Sequence, residues 1–224
     1  EKRFTSDASH ELRTPVAVLR AYTETLQAES GLSDEQRAAL ATMLGECDRM
    51  QRIIGQLLTI TRGQEGRYPV CMEELALRPV CEGVEETLAD RLAERHMTLT
   101  LNVPPELMLR ADQSLLTELM MNLLENAVKY GRENGRITVH AETDDAGTHL
   151  TVSDNGMGIP PEALPHVFER FYRVDAARDR SGTGLGLSIC DWIVRAHGGT
   201  ITAESRLGEG TTFHVTLPAK LPLE

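Results

Sequence analysis

The segment NLLENAVKY, residues 122–130, sets two asparagines four apart and a lysine three beyond the second, so Asn122, Asn126 and Lys129 share one face of a helix. Leu116, Leu119, Met120, Leu123 and Ala127 take the opposing side. A helix that buries its leucines while aiming two amides and an ammonium outward has a polar site to serve. Amide oxygens suit Mg²⁺, which keeps several waters and takes few protein ligands when phosphates complete its octahedron. Standing alone, the same pattern would equally describe two surface asparagines beside a surface lysine.

Two glycine-rich stretches follow. DNGMGIP (154–160) comes directly after a strand-like run and supplies a carboxylate, Asp154, then Gly156 and Gly158, which let backbone approach a flat ligand closely. A fixed carboxylate accepts well from an exocyclic amine such as that of adenine. SGTGLGLS (181–188) opens a helix with Gly182, Gly184 and Gly186, where free N–H groups and the helix dipole can meet phosphate oxygens. It is not a dinucleotide fingerprint, because Leu187 stands where the third glycine would fall, and with no Gly-Lys pair there is no Walker A loop. HRD and DFG are absent, which excludes a eukaryotic-type protein kinase. Between the two stretches, FERFYRVDAARDRSGTG (168–184) reads as a polar, Arg-rich lid tethered by Phe168 and Phe171, with Arg173 able to reach a phosphate.

Outward from these boxes the pattern alternates. Helices are expected over 78–95, 112–130 and 185–197, and strands over 97–103, 136–143, 148–154, 199–205 and 210–218. The strands alternate apolar and polar residues, so helices should cover one sheet face and leave the other to water: an α/β sandwich.

The N-terminal third differs. Leu40, Met43, Cys47, Met50, Ile54 and Leu57 make a heptad seam, Leu12, Val16, Leu19 and Leu26 line one side of the preceding segment, and ESGLSDEQ (29–36) offers a Gly turn and a Ser33–Gln36 capping box. Residues 1–62 therefore form an α-helical hairpin, ended by TRGQEGRYP (61–69), which places domains at 1–66 and 67–224. Two helices of roughly 30 residues cannot enclose a core alone; a homodimeric four-helix bundle would bury both stripes, as would packing on the downstream domain. A net charge of −11 argues against nucleic acid as a partner, and Cys47, Cys71, Cys81 and Cys190 show no CxxC pair, which fits a reducing, cytoplasmic setting. No run reaches the about 18 apolar residues of a membrane span. A start at Glu1, without methionine and already helical in pattern, reads as a fragment lacking its upstream part.

FTSDASHELRTP (4–15) holds one histidine. At 100° per residue His10 lies about 160° from Leu12 and about 120° from Val16, away from the apolar stripe. Thr14 lies about 40° from it, one turn on. Pro15 removes a helical hydrogen bond and clashes with the Glu11 carbonyl, so a bend is expected just after the histidine.

Taken together, the Asn helix, the strand followed by DNGMG and the Gly-rich helix start resemble the Bergerat ATP-binding fold. Joined to the His10 segment, they make the whole chain resemble the cytoplasmic core of a bacterial sensor histidine kinase of the HisKA type. The boxes correspond at His10, Asn122–Tyr130, Asp154–Gly158, Phe168–Arg173, Gly182–Gly186 and GEGTTF (208–213).

The resemblance implies ATP-dependent autophosphorylation of His10 and transfer to an aspartate of a response regulator. Asn126 would be the main Mg²⁺ ligand, Asp154 would hold the adenine amine, and Lys129 and Arg173 would contact phosphates. Tyr130, Gly156, Gly158, Ile159, Gly182, Thr183, Gly184, Leu185, Gly186 and Thr211 would complete the ATP site. The gyrase and heat-shock ATPases carry a water-activating glutamate where this chain has Asn122, so ATP is held here for attack by a protein nucleophile, and Asn122 joins His10, Glu11 and Thr14 as a catalytic residue. Glu11 would orient the second imidazole proton, and Thr14 would place water for dephosphorylating the regulator. The full-length protein would be anchored in the membrane through an N-terminal sensor region.

Overall fold

The structure, a computed structural model, describes residues 2–64, 68–174 and 183–219, with side chains except those of 2–11, 62 and 64. The chain divides into two compact units between Pro69 and Val70.

The first unit is a hairpin of α1 (Lys2–Gln27) and α2 (Asp34–Gln64). Gly31 turns the chain at φ 96°, and the capping box forms as expected: the Gln36 N–H donates to Ser33 Oγ (3.2 Å) and the Ser33 N–H to Gln36 Oε1 (2.8 Å). Helix α1 runs through Pro15 as one element. Val16, Cys47, Ile54 and Leu58 form the core, and across the helices Arg20 Nη1 donates to Gln51 Oε1 (3.2 Å) and lies 3.3 Å from Asp48 Oδ1. The stripe is only half used. Val16 is 5% exposed, whereas Leu12 is 53%, Leu19 52% and Met43 51% exposed.

The second unit comprises β1 (Glu73–Ala76), α3 (Leu77–Glu94), β2 (Thr98–Asn102), β3 (Met108–Ala111), α4 (Gln113–Tyr130), β4 (Arg136–Thr143), β5 (Gly147–Asp154), a 3₁₀ turn (Leu164–His166), α5 (Gly186–Ala196), β6 (Thr200–Arg206) and β7 (Gly210–Pro218). The five-stranded sheet has the order β2-β4-β5-β7-β6; β2 and β4 are parallel and the remaining pairs antiparallel. Ile137, Val139, Leu150, Val152, Phe213 and Val215 are buried on the face covered by helices, alternating with more exposed polar residues on the other. It is the α/β sandwich expected, and the expected strands and helices of this unit form within one residue of their anticipated ends. The β1–β3 ribbon and the 3₁₀ turn were not anticipated, since four-residue strands such as EELA carry too few β-formers to show a pattern.

Helix α4 positions the site and is fixed at both ends. Asp112 caps its start: Oδ1 accepts from the Leu115 N–H (3.1 Å) and Oδ2 from the Cys71 N–H (2.8 Å). The Asp112 N–H donates to Nε2 of buried His197 (3.0 Å), so the ring proton sits on Nδ1 and goes to the Ile193 carbonyl (2.8 Å), which links the start of α4 to the end of α5. At the other end the Arg95 guanidinium donates to the carbonyls of Val128, Lys129 (2.9 Å) and Gly131 (2.8 Å).

Candidate functional site

Burial of Leu115, Leu116, Leu119, Met120, Leu123, Leu124, Ala127 and Val128 leaves α4 a polar edge of half-buried Glu118, Asn122, Asn126 and Lys129. Asn122 Nδ2 donates to the Glu118 carbonyl (2.9 Å), leaving Oδ1 beside the start of α5, where a Cβ on Gly186 would come within 2.9 Å of it. The Asn126 amide makes no side-chain hydrogen bond among the described residues, and its oxygen suits a hard cation. Lys129 Nζ stands 5.1 Å from the centroid of the half-exposed Tyr130 ring, and the Tyr130 carbonyl accepts from the Met157 N–H (3.1 Å), tying α4 to the DNGMG turn.

Asp154 ends β5. Burial pushes its carboxyl above the usual carboxylate range, while hydrogen bonds from the Gly156 N–H (2.7 Å to Oδ1) and the Thr211 N–H pull the other way. Thr211 lies directly opposite on β7. The turn admits no side chain where it is tightest: a Cβ on Gly156 would come within 2.4 Å of the Tyr130 carbonyl oxygen. Gly158, at φ 69°, would place one 2.0 Å from the Arg206 carbonyl oxygen. The Ile159 N–H donates to Ser205 Oγ (2.8 Å).

The third part is the start of α5. Gly184, at φ 69°, packs on the Phe171 backbone, and the Phe171 N–H donates to the Gly184 carbonyl (2.8 Å). The Leu185 N–H donates to Thr183 Oγ1 (3.2 Å), Leu185 itself is buried, and no side chain among the described residues caps the helix, so its first N–H groups suit an anion. Arg173 is half-buried and its Nη2 is enclosed without a hydrogen-bond partner among the described residues, as a donor awaiting an anion would be. The expected tether needs one correction. Phe168 anchors, edge-on to Phe213 at 6.3 Å, but Phe171, at φ 61°, is 58% exposed, and among the described residues it is held through its backbone N–H on the Gly184 carbonyl.

The structure thus gathers α4, the DNGMG turn, Thr211 and the start of α5 near the end of β5 and the start of β7. Gly182 lies outside the described residues, as do the side chains of His10 and Glu11; Thr14 is exposed on α1 in the first unit. Ser205, Arg95 and His197 escaped the sequence reading, since a serine on a strand, a helix-end arginine and an apolar-flanked histidine carry no spacing signal. Among the described residues no helix is long and apolar enough to cross a membrane.

The site is that of an ATP-binding domain. Residues 111–221 match the family model for the histidine kinase-, DNA gyrase B-, and HSP90-like ATPase, and residues 1–66 that for the His Kinase A (phospho-acceptor) domain. The mycobacterial sensor histidine kinase MprB is 31% identical, with a TM-score of 0.60 over 67% of this chain and 100% of its own. Sensor protein SrrB of Staphylococcus aureus (strain N315) is 34% identical over 223 residues, 97% of this chain, which spans only 38% of that relative. Full-length ShkA in complex with AMPPNP shares the fold, with a TM-score of 0.83 at 24% identity over 100% of this chain and 47% of its own. The chain belongs to the sensor histidine kinase family, of which it is the catalytic core: a phospho-acceptor hairpin followed by an ATP-binding domain.

Proposed function

We propose that this chain phosphorylates His10 from ATP, passes the phosphoryl group to an aspartate of a response-regulator receiver domain and, through Thr14, hydrolyses the aspartyl phosphate. The observation that carries the reading is the convergence of the α4 amide edge, the half-buried Asp154 carboxylate and the start of α5 in a chain that also bears SHELRTP on α1.

In this reading Asp154 accepts from the adenine amine, with Thr211 beside it, and the glycines at 156 and 158 with Ile159 and Tyr130 let the base lie against backbone. Lys129, Arg173 and the segment Gly182–Gly186, with Thr183 and Leu185, take the phosphates. Asn126, with Asn122 beside it, would hold Mg²⁺, which supplies charge neutralisation at the phosphates. One neutral nitrogen of His10 attacks the γ-phosphorus as the bond to the ADP oxygen breaks. The ring's other nitrogen gives its proton towards Glu11.

The exposed half-stripe on α1 and α2 supports a homodimer, with 1–66 as its dimerisation and phosphotransfer domain and 67–224 as the catalytic domain. SrrB is named a sensor protein and is longer than this chain, which supports a membrane-anchored whole protein with this part on the cytoplasmic side.

Incubation with γ-labelled ATP and Mg²⁺ tests the reading. The protein should acquire acid-labile, base-stable label that His10→Gln and Asn126→Ala abolish and Thr14→Ala leaves, while Thr14→Ala slows dephosphorylation of the regulator. Vigorous phosphate release without labelled protein would overturn the kinase reading in favour of an ATP hydrolase.

A further inference from the structure

Ser205 is the last residue but one of β6, on the inner face of the sheet, paired with Thr211 of β7. Three groups surround its hydroxyl: the Gly210 carbonyl at 2.8 Å, the Ile159 N–H at 2.8 Å and Thr211 Oγ1 at 3.0 Å. A serine hydroxyl has one proton and two lone pairs. The carbonyl can only accept, so it takes the proton, and the Ile159 N–H fills one lone pair. Thr211 must therefore donate, filling the second. Its only hydroxyl proton is turned towards Ser205, and its oxygen offers nothing but lone pairs elsewhere.

Across the strand pair from Thr211 stands Asp154, whose ionised carboxylate also only accepts. The rim formed by these two residues is then acceptor-only. That suits a purine carrying an amine at its six position, as adenine does, and opposes one carrying a carbonyl there, as guanine does, because two acceptors face each other without a proton. We propose that Ser205 is a positioning residue that fixes the direction of the Thr211 proton and thereby raises the preference of the site for adenine over guanine nucleotides. The inference rests on the reading that the second unit binds a purine nucleotide.

The test measures binding of fluorescent ADP and fluorescent GDP to the whole chain. Wild type should prefer ADP. Ser205→Ala frees the Thr211 hydroxyl to turn and donate, so the ADP-to-GDP preference should fall about tenfold, the scale of one misdirected hydrogen bond. Ser205→Thr, which keeps the hydroxyl, should retain the preference. In a Thr211→Val background, Ser205→Ala should change selectivity no further, which separates proton direction from general loosening of the turn. Equal weakening of both nucleotides in Ser205→Ala, or an undiminished preference, would overturn the role of Ser205 while leaving nucleotide binding intact. A wild-type chain that binds neither nucleotide would instead overturn the nucleotide reading itself.

Discussion

Asp154 sets stability against binding. Because burial raises its carboxyl above the ordinary range, the native state holds the proton more tightly than the unfolded chain does. The stabilising contribution is complete below the unfolded value and is lost as pH rises through the raised native one. Asp154→Asn keeps an oxygen for the Gly156 N–H and removes the buried charge. Without nucleotide, its melting temperature should exceed that of wild type at neutral pH by more than it does in acid. ADP affinity should meanwhile fall roughly ten- to a hundredfold, as for a lost charge-assisted hydrogen bond. A melting difference independent of pH would contradict the assignment. Asp154 and Asn126 were legible in the sequence because their chemistry and spacing are local. Phe171 was misread because a ring's exposure depends on a left-handed φ that no pattern announces, and Ser205 was passed over because strand alternation gives only its face.

The element on which the site depends is α4. Its start was legible to within one residue, the expected 112 against Gln113, and the structure makes Asp112 the N-cap. Its end at Tyr130 was legible too, but not what holds it: the Arg95 clamp joins residues 33 to 36 positions apart in sequence. With Arg95 gone, the carbonyls of Val128, Lys129 and Gly131 lose their shared donor, and the turn carrying Lys129 and Tyr130 is left to the Gly131 and Met157 N–H bonds. Arg95→Met should destabilise the second unit by about 2–3 kcal/mol, the scale of hydrogen bonds to a charged donor. Amide hydrogen exchange should quicken more at Gly131 and Met157 than at Leu116, whose N–H bonds to the Asp112 carbonyl at the far end of the helix. Uniform quickening along α4 would mean that Arg95 supports the whole unit and not this turn.

At the scale of the molecule the two units are stabilised by different means. The second encloses a core of its own, with Leu119, Met120, Leu123, Ile137 and Ile189 fully buried. Among the described residues the hairpin encloses a small cluster, Val16, Cys47, Ile54 and Leu58. On a helical wheel Val16 and Thr23, both buried, lie about 20–40° to one side of Leu12, and the half-exposed Leu19 and Leu26 lie about 20–40° to the other. The heptad spacing showed an apolar stripe but not which half of it the hairpin itself would use, because that depends on how α1 and α2 lean on each other. A second copy on the unused half would remove Leu12, Leu19, Leu26 and Met43 from water; each is already about half buried, so each contributes about half of the roughly 1.5–3 kcal/mol of a full burial. Unfolding of the hairpin should therefore depend on protein concentration and that of the second unit should not, which scanning calorimetry over a hundredfold dilution series resolves. Leu19→Glu places a charge in each copy at the proposed seam, so light scattering should report a monomer and the concentration dependence should vanish while nucleotide affinity stays unchanged. A wild-type chain that is monomeric at micromolar concentration, or a Leu19→Glu chain that still dimerises, would show that something other than a second copy covers the stripe.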